Sequence, residues 1–476
     1  MTFPCKSFVF GVPVAGVLVT LVSLYATPTE TAPQLVNLNV TAVDQQGRPV
    51  TDLKAEDFQI LDNNKPRKIV WFHPLSGKAL KAPATFILID LLNADFAARG
   101  LSVNEVERAL EKLEAADNVY LYLLTPAERI FAIHAVTQPG TRSETDDGPW
   151  TSHLKPMLDS ALKQVNALKS QDDRIAALRI PGTWKTLSEL AAQLALYPGP
   201  KSFVWITQGI ENGYELPDRR LYVDTTPLRF FAANLNALET AIYTVQQRPG
   251  GALALQNEGS PGDTLARVTA LTGGRTFPTD AVDAAVTEAM NAPRRVNYRM
   301  AFLPEKMDGK YHKIRVTTAR KDIRIQTAQT YYAIAAPDME QRDAAIVDAI
   351  MRSPFDYPEI GVTATIQPVG GKPGQFRFAI HVDASDVLFL AENGRYHARL
   401  ETGVVPDGTD GPKAGSHGGP LNLDLSEEDY AKAMAGGIDF GQEAALDATI
   451  RRIRLVVLDR NSNLAGTVIV PVGRNP

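Results

Sequence analysis

From Phe86 to Asp95 the chain reads Phe-Ile-Leu-Ile-Asp-Leu-Leu-Asn-Ala-Asp, an apolar run interrupted by a carboxylate and followed by two further polar side chains. A run this short and this apolar predicts a central strand of a parallel sheet, buried on both faces. Ligands of open α/β sheets bind outside the carboxyl ends of such strands, and Asp90 falls at that end.

On either side of this run the pattern changes. Between Gln34 and His73 apolar and polar residues alternate, as in Leu35 to Val43, with turn signals at Asp44–Pro49 and Asn63–Pro66. That period of two predicts a β module over 34–80, too small to bury much of a core alone. Over 84–336, strand-like runs (Thr85–Ile89, Val119–Leu124, Ile130–Val136, Ser202–Thr207, Ala241–Val245) alternate with amphipathic stretches (Val103–Ala116, Thr183–Leu196, Leu228–Glu239). The alternation predicts an α/β domain with a doubly wound, mostly parallel sheet. Lys155 to Leu178 reads as a further helix, and Leu265 to Thr272 as a helix stopped by Gly273 and Gly274. The block closes in a strand-rich tail, Val296–Leu303, Lys313–Thr318 and Ile323–Thr327. The stretch 346–476 opens with a short helix through Met351 and then turns strand-like, as a β-sandwich-like domain would. Within it, the glycine-rich segment Gly403 to Gly419 reads as a mobile loop.

Composition narrows the setting. A chain of 476 residues calls for two or three domains, and 44% hydrophobic with 22% charged residues is the balance of a globular protein. A net charge of -5, with no basic stripe, argues against a nucleic-acid partner. Lys6, the apolar stretch Phe8–Tyr25 and Ala26 have the layout of an export signal over 1–26, cut after Ala26. An uncleaved anchor remains the alternative, and it is the one route to membrane contact. The sole cysteine, Cys5, precedes the apolar stretch, so the mature chain would hold no disulfide, thiolate metal site or cysteine nucleophile. Export without disulfides points to a bacterial envelope: periplasm, cell surface or secretion.

Four segments in this order carry a likeness to a known family: Asp57-Phe58 in the β module, Leu88-Ile89-Asp90, Leu271 to Phe277, and Asp308 to Val316. The chain resembles the bacterial exported proteins described as von Willebrand factor A-related, of the acidobacterial type. The likeness covers roughly 34–335 and, more weakly, the C-terminal block. It implies a Rossmann-like von Willebrand A domain flanked by an N-terminal β module and a C-terminal β-sandwich-like domain. It implies no reaction.

That fold often carries a metal at the top of its first strand, with the pattern Asp-x-Ser-x-Ser completed by a threonine and an aspartate from later loops. Here Asp90 is kept, but Leu92 and Ala94 stand at the two serine positions, and Thr207-Gln208-Gly209 stands where Thr-Asp-Gly is expected. Magnesium and calcium need several oxygen ligands, so the expectation is a degenerate site with no cofactor. Asp90, Asn93 and Asp95 are the oxygen donors from which a magnesium or calcium site could be rebuilt. Otherwise Asp90 bonds loop backbone or caps the next helix.

Enzyme signatures are absent: no Gly-x-Ser-x-Gly elbow, no His-Glu-x-x-His, and Gly370-Gly371-Lys372-Pro373 has proline where a phosphate loop needs a hydroxyl. His134 and His312 read as structural histidines, and Ser426 before Glu427, Glu428 and Asp429 as a helix cap. The expected function is therefore a non-enzymatic, exported protein-binding or adhesion-type protein with a protein partner in the envelope or outside the cell. Three alternatives stay open: metal-dependent adhesion through a rebuilt Asp90 site, an envelope hydrolase, and a structural envelope protein.

Overall fold

The computed structural model describes residues 17–18, 35–75, 83–94, 104–109, 118–134, 156, 158–160, 162–163, 176–215, 221–247, 259–333, 344, 346–351, 353, 355–408, 411–412 and 417–472. A two-residue strand β1 (Val17–Leu18) runs parallel to Ile438 and Asp439; the rest of the expected export signal lies outside the described residues. Among the described residues, no helix is long and apolar enough to cross a membrane. The alternating segment then forms β2 (Val36–Val43), β3 (Phe58–Asp62), β4 (Lys65–Arg67) and β5 (Ile69–Pro74). Asn63 and Asn64 turn β3 into β4 with φ of 48° and 64°, left-handed values that a two-residue hairpin needs and asparagine tolerates.

The chain next builds β6 (Ala84–Asp90), β7 (Val119–Thr125), β8 (Arg129–His134), α1 (Ala176–Leu194), β9 (Lys201–Thr207), a small hairpin β10 (Gly213–Glu215) and β11 (Leu221–Val223), α2 (Thr226–Ala237), β12 (Thr240–Gln246), α3 (Pro261–Thr272), β13 (Thr276–Phe277) and α4 (Val282–Arg295). The main sheet runs β13-β12-β9-β6-β7-β8, with every neighbour parallel except β7 and β8. Those two are joined by a short turn at Glu128, φ 57°, and a parallel return would need a crossover of a dozen residues or more. β6 is central and wholly buried, as its apolar run requires. Its residues alternate between the faces: Phe86 and Leu88 join the core under α1, α2 and α3, while Ile87 and Ile89 join the core under α4. Gly273 ends α3 with φ 82°, the left-handed stop expected of it.

The N-terminal strands do not form a module of their own, which corrects the expectation for 34–80. Four tail strands, β14 (Tyr298–Phe302), β15 (Tyr311–Thr318), β16 (Arg324–Gln326) and β17 (Thr330–Tyr332), return to complete them. The resulting sheets are β16-β2-β14-β5 and β17-β15-β3-β4, sharing a core that includes Val40, Ile60, Tyr298, Met300 and Phe302. The α/β domain is thus inserted between β5 and β14. The reason is size: forty residues cannot enclose enough apolar surface, and the tail supplies the missing half.

Beyond the helical residues 346–351 lie β18 (Val362–Pro368), β19 (Gln375–Val382), β20 (Leu390–Glu392), β21 (Arg395–Gly408), β22 (Gly411–Pro412), β23 (His417–Ser426), α5 (Glu427–Gly436), β24 (Ile438–Ala445), β25 (Ile450–Asp459) and β26 (Ala465–Pro471). One sheet, β1-β24-β19-β18, and another built on β20-β21-β25-β26, with β23 on β21, enclose a single apolar core. Gly403 to Gly419 is mostly ladder rather than loop: Gly403 pairs with Gly418 and Thr402 with Gly419. Any Cβ on Gly418 would collide with the Thr402 carbonyl, so this glycine marks close backbone approach, not freedom. Ser426 caps α5 by accepting from the Asp429 N–H at 3.1 Å.

At the end of β25, Asp459 is fully buried and accepts from the N–H groups of Leu388 (2.7 Å) and Asn461 (2.8 Å) and from the Ser462 hydroxyl (2.8 Å). Burial outweighs these donors and pushes its carboxyl up to about 6. A raised folded value means the stabilisation is complete below pH 4 and is lost as pH rises through about 6. Relative to Asp459→Asn, the parent should therefore lose on the order of 3 kcal/mol between pH 4 and pH 7. Urea melts of both proteins across that range check it; a pH-independent difference would refute the assignment.

Candidate functional site

Asp90 is the last residue of β6, on the face that packs under α1. The β6–β9 register sets Leu88 beside Trp205 and Ile89 beside Ile206, so the next step brings Asp90 beside Thr207. The carboxylate is 0% exposed. Its Oδ2 accepts from the Thr207 hydroxyl at 2.7 Å, the Asn93 side-chain amide at 2.9 Å and the Trp205 indole N–H at 3.3 Å. Its Oδ1 accepts from the Asn93 backbone N–H at 2.9 Å. Burial raises the Asp90 carboxyl above the usual range, and the donors, led by the Asn93 backbone N–H, pull it back.

Asn93 is the pivot. The same Nδ2 that meets Asp90 also donates to Thr183 Oγ1 at 3.0 Å, while the Thr183 hydroxyl reaches back to Asn93 Oδ1 at 3.4 Å. One amide nitrogen therefore lies between a carboxylate on β6 and a hydroxyl on α1. Thr207 is held in turn by the Gly209 N–H, 2.9 Å from its hydroxyl, where the chain takes φ 94° and only glycine is unstrained. A separate set of bonds nearby joins α1 to α3: Trp184 donates to Asn212 Oδ1 at 3.3 Å and Asn212 to Thr264 at 3.1 Å.

Of the three residues expected to hold a metal, Asp90 and Asn93 come together; Asp95 lies outside the described residues. Asn93 turns its amide nitrogen, not its oxygen, towards Asp90. Leu92 and Ala94, at the expected hydroxyl positions, are buried apolar side chains, and Leu92 belongs to the core under α1. Among the described residues the arrangement offers one carboxylate, whose Oδ2 already takes three donors, and these residues alone do not fit a hard divalent cation that needs six or more oxygens. Sequence reasoning passed over Thr183 and Trp205. Thr183 was legible only as the start of an amphipathic stretch, and Trp205 only as one apolar residue in a strand. No spacing rule links either to Asp90.

The two histidines are held structurally. His134 Nδ1 lies 2.6 Å from the Val119 carbonyl oxygen, and the His312 ring sits between Asp62 Oδ1 (3.0 Å) and Asp308 Oδ1 (3.1 Å) inside the β domain. Gly370 to Pro373 forms the turn between β18 and β19. No protein-family model matches the chain, and no curated protein matches it.

Proposed function

We propose that this chain is an exported, non-enzymatic binding protein built on a von Willebrand A-like domain, meeting a protein partner through loops at the carboxyl edge of the parallel sheet without a metal. The parallel strand order around β6 and the helices on both faces support the domain reading. One observation carries the metal-independent part: the Asn93 amide nitrogen, 2.9 Å from Asp90 Oδ2 and 3.0 Å from Thr183 Oγ1, supplies the positive end of a dipole where a cation would bridge them. Hydrogen bonds satisfy the buried acid from within, so its burial needs no cation.

Calorimetric titration of the parent and of Asp90→Ala with magnesium, calcium and manganese tests this. The expected result is no saturable binding by either protein, and partner capture from envelope extracts that chelator does not alter. Asp90→Ala should still cost several kcal/mol, since each buried donor left without an acceptor costs about 1–3 kcal/mol. Binding near one equivalent in the parent, lost in Asp90→Ala together with a chelator-dependent melting shift, would replace this reading with metal-dependent adhesion.

A further inference from the structure

At the other end of the parallel sheet, where β9 and β12 begin, a cleft of about 910 Å³ opens between the α/β domain, the β domain and the C-terminal domain. We propose that this cleft binds an acidic oligosaccharide, a short chain of sugars carrying uronate carboxylates.

Charge is the first observation. The whole chain has 49 Lys and Arg against 54 Asp and Glu, yet the cleft lining has seven basic residues against two acidic ones. Both acids are already matched: Glu239 pairs with Arg299, and Glu288 with Arg295 at 3.1 Å. Arg275 from the α/β domain and Lys313 and Arg315 from the β domain are exposed, and among the described residues none has an acidic partner within 4.0 Å. Arg275 is nonetheless held in place, its guanidinium 4.3 Å from the centre of the Phe277 ring. The cations enter from two domains, so a ligand seated here meets positive charge from two sides. In a concave site such charge focuses an anion more strongly than it would on an open surface.

The neutral lining makes the second observation. Eight side-chain amides, Asn and Gln together, line the same cleft, with Tyr243, Tyr331 and Tyr332. Amides both donate and accept, which suits hydroxyl groups that do the same. Tyr243 and Tyr331 are buried beneath the lining, and the half-buried Tyr332 adds a flat apolar face with a polar tip. A bare polyphosphate would have no use for them; a sugar bearing carboxylates uses both sets. The volume falls within the range of ligand sites, about 300–1,000 Å³, and accommodates several sugar rings.

Calorimetry on the full chain with oligogalacturonate of three to six units, neutral malto-oligosaccharide of the same length, and tripolyphosphate separates the sources. We expect saturable binding of oligogalacturonate that weakens with salt, and none of the neutral sugar. Arg275→Ser with Arg315→Ser should weaken it by about tenfold or more, as loss of charge-assisted hydrogen bonds does. Both side chains are exposed, so the melting temperature should not move and a folding defect is distinguishable. No oligogalacturonate binding, equal binding by the double variant, or binding of tripolyphosphate alone would overturn the proposal. It is independent of the partner reading, which concerns the other edge of the sheet.

Discussion

Leu88→Asp is expected to unfold the α/β domain. Leu88 is 0% exposed in the middle of the central strand, in one apolar cluster with Trp205, Leu187 and Phe231. The new carboxylate would find no counter-charge among those neighbours. It either ionises in an apolar interior or takes up a proton at a free-energy cost, and each route costs several kcal/mol, against about 5–15 kcal/mol for a whole domain. Leu88→Ala, which leaves a cavity but no charge, should cost about 2–5 kcal/mol and remain folded. Urea melts rank the two variants, and hydrogen exchange should place the loss of protection in β6, β7 and β9. A Leu88→Asp protein that melts with the parent would mean that this strand is not the core of the sheet.

Arg299→Met should destabilise the junction of the three domains by about 3–5 kcal/mol. Arg299, on β14 of the β domain, is 3% exposed. It pairs with Glu239 of the α/β domain and lies 3.5 Å from Glu359, which precedes the C-terminal strands. Lys201, at the start of β9, is buried in the field of both acids, its Nζ donating to the Tyr197 and Gly199 carbonyls at 2.8 Å each. Two cations and two acids balance across three domains. Removing Arg299 leaves two carboxylates with one lysine, and burial already lowers that lysine to about 8. The variant Arg299→Met/Glu239→Gln restores the balance by leaving one cation, Lys201, with one acid, Glu359, and much of the lost stability should return. Chemical denaturation of the parent, single and double variants measures both effects. A single variant within about 1 kcal/mol of the parent would show that these charges do not hold the domains together.

What the chain's own pattern determined is local and periodic. The apolar runs became β6, β7, β9 and β12 because a strand buried on both faces needs apolar side chains on both, and the sequence shows that directly. Gly273 after Thr272 and Ser426 before three acids ended and began helices for reasons contained within one turn. Asp90 was legible as the residue at the strand's carboxyl end, and Leu92 and Ala94 as side chains that cannot ligate. Tertiary structure decided everything that joins distant positions. Asn93, Thr183, Trp205 and Thr207 meet Asp90 because a strand register and a helix docking put them there; sequence separations of up to 117 residues carry no trace of it. β2 and β5 acquired their partner β14 from more than two hundred residues away, so one domain looked like two. Gly418 read as loop because a residue with no side chain looks the same in a turn as against a neighbouring carbonyl. Periodicity reports which face of an element is buried. It is silent on what lies against that face, and both the Asp90 network and the cationic cleft are made of such contacts.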